Sequence, residues 1–236
     1  MAQNGWKYGN RGIPNISLLQ DKLKVDFNTK IPTQNSSKKI IIYKMQGKAN
    51  VVFVVGGPGC GKGTQCAKIK EAFNYEHLST GDILRDIVKK QQHPKWKELD
   101  EKMKAGQFVS SAELIGFVKE AFKAFAGKKV LLDGFPRNKD NIEEWNKQMT
   151  EVADVKALLY FQCPAEVMKK RMLGRNEGRA DDNEVTMVKR IENFEKETIP
   201  IVEPYEKEGK VIKINAEQTK EQVYADVEKV FKEKGL

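Results

Sequence analysis

Residues 56–64 read Gly-Gly-Pro-Gly-Cys-Gly-Lys-Gly-Thr, so Gly56 is followed, after four intervening residues, by Gly61 and Lys62. That spacing builds a phosphate cradle. Backbone N–H groups can encircle an anion only where no side chain intrudes, and glycines reach the dihedral angles such a loop requires. An apolar β-branched run, Val51–Val55, precedes the loop, and Thr64–Phe73 has helical character after it. A helix opening there would point its positive end at the anion. The candidate nucleotide-binding set is therefore Gly57, Gly59, Cys60, Gly61, Lys62, Gly63 and Thr64. Lys62 would reach the β- and γ-phosphates, and Cys60 reads as a small filler rather than a nucleophile. The hydroxyl that commonly ligates Mg²⁺ directly after the lysine arrives one position late, at Thr64.

A cradle of this kind needs a rigid frame. Val130–Leu132, Ala157–Phe161 and Val211–Ile214 read as further buried strands. Between them lie helical stretches. Ser110 and Glu113 have the spacing of a capping box, and Leu114, Phe117, Val118, Ala121, Phe122 and Phe125 then recur at helical intervals. Val223, Val227, Val230 and Phe231 mark a C-terminal helix. Strands alternating with helices predict an α/β fold, a parallel sheet covered on both faces.

The chain has 236 residues and a formal charge of +9, which raises the question of an anionic partner. Residues 1–50 hold nine basic and two acidic side chains, so +7 falls there and only +2 on the rest. The globular part is nearly neutral and carries no recognisable nucleic-acid module. Residues 1–48 form a basic N-terminal extension, in which Ile16, Leu19 and Leu23 share a helical face and Lys39–Met45 has strand character. Such an arm could be a solvated tail or could dock on a protein partner. No apolar run approaches the ~20 residues of a membrane span. Cys60, Cys66 and Cys163 form no metal-binding spacing, and an odd number of cysteines suits a reducing, cytoplasmic setting.

Four motifs, in order, carry a resemblance. Gly-Gly-Pro-Gly-Cys-Gly-Lys-Gly-Thr-Gln at 56–65, His77-Leu78-Ser79-Thr80-Gly81-Asp82 with Arg85, Asp133-Gly134-Phe135-Pro136-Arg137-Asn138, and Gly178-Arg179-Ala180-Asp181-Asp182-Asn183 followed by Arg190 resemble the nucleoside monophosphate kinases, the adenylate kinase family. The likeness covers about residues 49–236, the expected kinase domain. It implies a P-loop fold of three layers around a five-stranded parallel sheet. A small monophosphate-binding insertion is expected near 80–109 and a short lid near 174–183. Arg175 and Arg179 enclose three residues, two fewer than short-lid relatives usually have. It also implies ATP as co-substrate, Mg²⁺, and a monomeric domain.

The resemblance assigns roles to matching positions. Arg85 and Arg137 would clamp the acceptor phosphate, with Thr80 and Gly134 beside them, and Arg175, Arg179 and Arg190 would close over the transferring group. Guanidinium suits this because its planar fork binds phosphate oxygens in pairs. Asp133, ending an apolar strand, would hold Mg²⁺ through water, with Thr64 a second candidate ligand. Asp181 and Asp182 would brace the lid arginines. Arg171 reads as a candidate structural arginine, and His77 as a packed histidine. No general base is required, because a phosphate monoester with a second pKa of ~6 is already a nucleophile at neutral pH.

In the family this chain resembles, the residue four after the signature arginine reads the acceptor base, and here that position is Asn141. Adenylate kinases usually carry Gln there and pyrimidine kinases often Asn. With Trp145 downstream, the stretch is similar to the UMP-CMP kinase branch. Ser79-Thr80-Gly81 points instead to an AMP acceptor, because pyrimidine kinases commonly have Ala in place of Thr80. UMP or CMP phosphorylation is the expectation, with adenylate kinase as the alternative. A kinase-fold subunit anchored by residues 1–48 is a further possibility.

Overall fold

The computed structural model describes residues 47–174 and 183–236. The readings placed on residues 1–46, and the lid residues Arg175, Arg179, Asp181 and Asp182, lie outside the described residues.

The sheet comprises β1 (Ala49–Gly56), β2 (Glu76–Ser79), β3 (Lys129–Asp133), β4 (Ala153–Gln162) and β5 (Val211–Asn215). Its order is β2-β3-β1-β4-β5, and every pairing is parallel. The helices are α1 (Lys62–Phe73), α2 (Thr80–Lys90), α3 (Trp96–Lys104), α4 (Ser111–Phe122), α5 (Lys139–Gln148), α6 (Ala165–Leu173), α7 (Glu184–Asn193), α8 (Val202–Lys207) and α9 (Lys220–Lys234). A π-helical turn, Phe194–Thr198, continues directly from α7.

Both faces of the sheet are covered, which is why its central strand is continuously apolar. Alternate β1 residues serve different layers. Val51, Phe53 and Val55 point with Val130, Leu132 and Leu158 toward α2, α4 and α5. Val52 and Val54 join Leu131, Leu159, Phe161 and Ile212 against α1 and α9, through Ile69, Val223, Val227 and Phe231. Phe53 sits at the hub of the first layer, in edge contacts with Phe135, Trp145 and Tyr205.

The expected α/β architecture and five-stranded parallel sheet are present. Two local readings change. The strand β2 spans only Glu76–Ser79 with one fully apolar residue, Leu78, so pattern alone gave no strand there. The capping box at Ser110 is half formed. Ser110 Oγ accepts the Glu113 N–H at 3.5 Å, but the Glu113 carboxylate pairs with Lys95 at 3.0 Å instead of returning to the cap. The complete box is at Thr219 and Gln222, opening α9.

Truncating the hub tests this packing. Phe53→Ala should destabilise the protein by about 3–5 kcal/mol, read from the shift of its urea unfolding midpoint.

Candidate active site

The glycine-rich loop leaves β1 at its carboxyl end and enters α1 through Gly61, whose φ of +92° is left-handed. The helices α2, α4, α5, α7 and α9 each open on a side chain that caps their first turn; α1 has neither such a cap nor an acid there. Its leading N–H groups are thus left for an anion. Lys62 folds back over the loop, donating from Nζ to the carbonyls of Gly56 at 2.7 Å and Gly57 at 2.9 Å. Its ammonium also lies 3.6 Å from Cys60 Sγ, and Cys60 is buried.

The loop is pinned from behind by α6. A Cβ on Gly57 would fall 2.1 Å from Met168 Sδ, and one on Gly59 would fall 2.7 Å from the Met168 carbonyl oxygen. Gly59 also has φ +78°. These glycines are set by close approach as well as by turn geometry.

Strand β3 delivers Asp133 beside this loop. Gly134 N–H donates to Val54 O at 3.0 Å, tying the end of β3 to β1. Asp133 is buried, and its Oδ1 has no hydrogen-bond partner. Oδ2 lies 3.4 Å from His77 Nε2. Burial by itself would push the carboxyl up, but the His77 hydrogen bond and the positive charges of Lys62 and Arg137 outweigh it. The group therefore sits below the usual carboxylate range. A Cβ on Gly63 would lie 4.0 Å from Asp133 Oδ2, whereas Thr64, one position on, is exposed.

Arg137 is anchored at several points. Its Nε donates to Gly134 O at 2.8 Å and its Nη2 to Thr80 Oγ1 at 3.4 Å. The Arg137 carbonyl accepts Thr198 Oγ1 at 2.6 Å, from the π turn. Gly134 has φ +74°, and a Cβ there would lie 3.1 Å from Arg137 Nη2 and 3.2 Å from Thr80 Oγ1. Arg85 pairs with Asp82 on the same turn of α2, and its guanidinium lies over Gly81.

Asn141 is buried and held from both ends of its amide. Its Oδ1 accepts Arg137 N–H at 3.0 Å, and its Nδ2 donates to Ser111 Oγ at 2.7 Å. The backbone donor fixes which end is oxygen. Lys62, Thr80, Arg85, Gly134, Arg137, Asn141 and Arg190 all line one cleft above the carboxyl ends of β1 and β3. That is where an open α/β sheet binds ligands.

Outside that cleft, Arg171 donates to the carbonyls of Ala216, Glu217 and Gln218, fastening the β5–α9 loop. Two residues that bear on the site, Ser111 and Thr198, sit in no motif. His77 is packed, as expected, and its contact with Asp133 follows from the register of β2 on β3, which pairs Ser79 with Asp133.

Comparison with known proteins agrees with this geometry. The adenylate kinase family profile matches residues 54–210. The chain is 45% identical to UMP-CMP kinase 2 of Caenorhabditis elegans over 183 residues, covering 77% of this chain and 96% of that protein. It is 45% identical to UMP-CMP kinase of Rattus norvegicus and 44% to that of Homo sapiens. Each alignment covers 80% of this chain and all of the relative.

The glycines separate two physical causes. Gly59→Ala should destabilise by about 1–3 kcal/mol, through backbone clash and positive φ. Gly116→Ala, on α4 with open space where its Cβ would go, should stabilise by about 0.5–1 kcal/mol. Thermal unfolding of the two variants reads the opposite signs.

Proposed function

The chain belongs to the adenylate kinase family, and we propose that it transfers the γ-phosphoryl group of ATP reversibly to UMP or CMP, giving ADP and UDP or CDP. The observation that carries this reading is the convergence of Lys62, Arg85, Arg137, Arg190 and Asn141 on one cleft.

The loop amides and Lys62 hold the donor phosphates. Arg85 and Arg137 hold the acceptor phosphate, and Arg190 offsets charge on the group in transit. Arg175 and Arg179 are assigned to the same task, and Asp181 and Asp182 to bracing them, by family position. The acceptor oxygen needs no base, so catalysis rests on positioning and on fixed cations in a site that excludes water. The buried, half-satisfied Asp133 carboxylate fits a divalent cation held through water, with Thr64 as a further ligand; Mg²⁺ there would offset charge on the β- and γ-phosphates.

Asn141 supports a pyrimidine acceptor. With Oδ1 and one amide hydrogen engaged, the second N–H is left to donate. Uracil and cytosine share a ring carbonyl that can accept it, whereas adenine offers ring nitrogens in place of a carbonyl. The feature that favoured AMP finds another explanation. Thr80 is fully buried, and its hydroxyl lies within hydrogen-bond distance of the carbonyls of Asp133 and Gly134 and of Arg137 Nη2. Its side chain braces the acceptor loop, whatever base lies beyond.

The expected domain division, with residues 1–48 as an appendage and 49–236 as a monomeric kinase domain, is part of the same proposal. So is a cytoplasmic setting, supported by three free cysteines among the described residues. No helix among the described residues is long and apolar enough to cross a membrane.

At equal concentrations, initial rates with UMP or CMP should exceed the rate with AMP; AMP ahead by about tenfold, ~1.4 kcal/mol in transition-state binding, would overturn the acceptor assignment. Lys62→Met should lower kcat by about a hundredfold or more while the protein stays folded by circular dichroism. Removal of residues 1–45 should leave turnover unchanged; loss of activity would show that the arm belongs to the catalytic unit.

A further inference from the structure

Behind the loop, three elements each contribute one side chain to a second constellation. Cys66 from α1, His77 from β2 and Asp133 from β3 each offer a ligand atom, and all three atoms lie within 4.8 Å of one another. Cys66 is fully buried, and the side chains of His77 and Asp133 keep an 11% exposed edge through which a small ion can enter. The 3.4 Å between His77 Nε2 and Asp133 Oδ2 is close to the ~3.3 Å edge of a tetrahedron whose ligands sit about 2.05 Å from a zinc ion. The other oxygen of the same carboxylate, Asp133 Oδ1, is buried without a hydrogen-bond partner.

We propose that Cys66, His77 and Asp133 form a site for a thiophilic divalent cation, of which Zn²⁺ is the type, and that its occupancy inhibits phosphoryl transfer. Sulfur, imidazole and carboxylate together match the ligand preferences of Zn²⁺, whereas Mg²⁺ takes oxygen ligands and leaves the thiol alone. On binding, Cys66 releases its thiol proton to solvent and forms the sulfur–metal bond. His77 gives up its contact with Asp133 and donates the Nε2 lone pair, Asp133 supplies a carboxylate oxygen, and water completes the tetrahedron. The carboxylate assigned to the water-bridged Mg²⁺ is then taken, and its charge is neutralised beside Lys62. Metal binding stands on the three side chains alone; the inhibitory consequence rests on the kinase reading.

Co²⁺ is the direct probe. Added to the full chain without nucleotide, it should give the near-ultraviolet absorption of a thiolate–cobalt bond. Zn²⁺ should displace it, Cys66→Ala and Cys66→Ser should each abolish it, and Cys163→Ala should retain it. In parallel, turnover at saturating Mg²⁺ and nucleotide is titrated with buffered free Zn²⁺. The Cys66 variants should keep the basal rate and need at least about tenfold more Zn²⁺ for half inhibition. No thiolate band, or a band that survives in both Cys66 variants, overturns the site. Equal Zn²⁺ sensitivity in wild type and variants overturns the inhibitory role. A chain with no kinase activity but a Cys66-dependent band would reject the proposed function and leave the metal site standing.

Discussion

Two phosphorylated nucleotides repel each other, and fixed positive charge must already be in place where they meet. That constraint organises the molecule. Lys62, Arg85, Arg137 and Arg190 come from four separate segments of the chain, and only the folded sheet brings them to one cleft. A parallel sheet suits the task because the loops that follow its strands gather at their carboxyl ends. The near-neutral charge of the domain and its strongly cationic cleft are two sides of the same arrangement.

Several of the contacts that hold the cleft cations in place are neutral. The Arg137 guanidinium donates to the Gly134 carbonyl and the Thr80 hydroxyl, and the Arg137 backbone carbonyl accepts the Thr198 hydroxyl; none of these contacts cancels its charge. Lys62 likewise rests on two loop carbonyls. Contacts of this kind restrain a donor without neutralising it, so it loses little freedom when an anion arrives, which is where a positioned cation outperforms a mobile one. Arg85 is paired with Asp82. The pair holds the guanidinium over Gly81, and an anion arriving there would compete with Asp82 for it.

The sequence made the loop, the strands around it and the cationic set legible, because each has a local signature. Glycine spacing announced the cradle, and apolar runs announced β1, β3, β4 and β5. What stayed hidden depends on tertiary register. The strand β2 is too short to show a period, so the approach of His77 to Asp133 could not be read. Ser111 reaches Asn141 across thirty residues of chain, and the hydroxyl of Thr80 turned out to brace a loop. Glu113 had the spacing for a cap, but a nearby lysine outbid the backbone for its carboxylate. In each case a side chain with a plausible local partner found a better one from elsewhere in the fold.

The π turn at Phe194–Thr198 closes each ring with one residue more than an α-helix would. It is an insertion within a helix, and its register carries Arg190 on one side and Thr198, bonded to Arg137, on the other. Deleting one of the residues between Arg190 and Thr198 would restore α-helical spacing and turn Thr198 by about 100° away from its partner. The two arginines would then lose their common ruler. Length in this segment is therefore a geometric constraint of its own, separate from the chemistry of the side chains it carries.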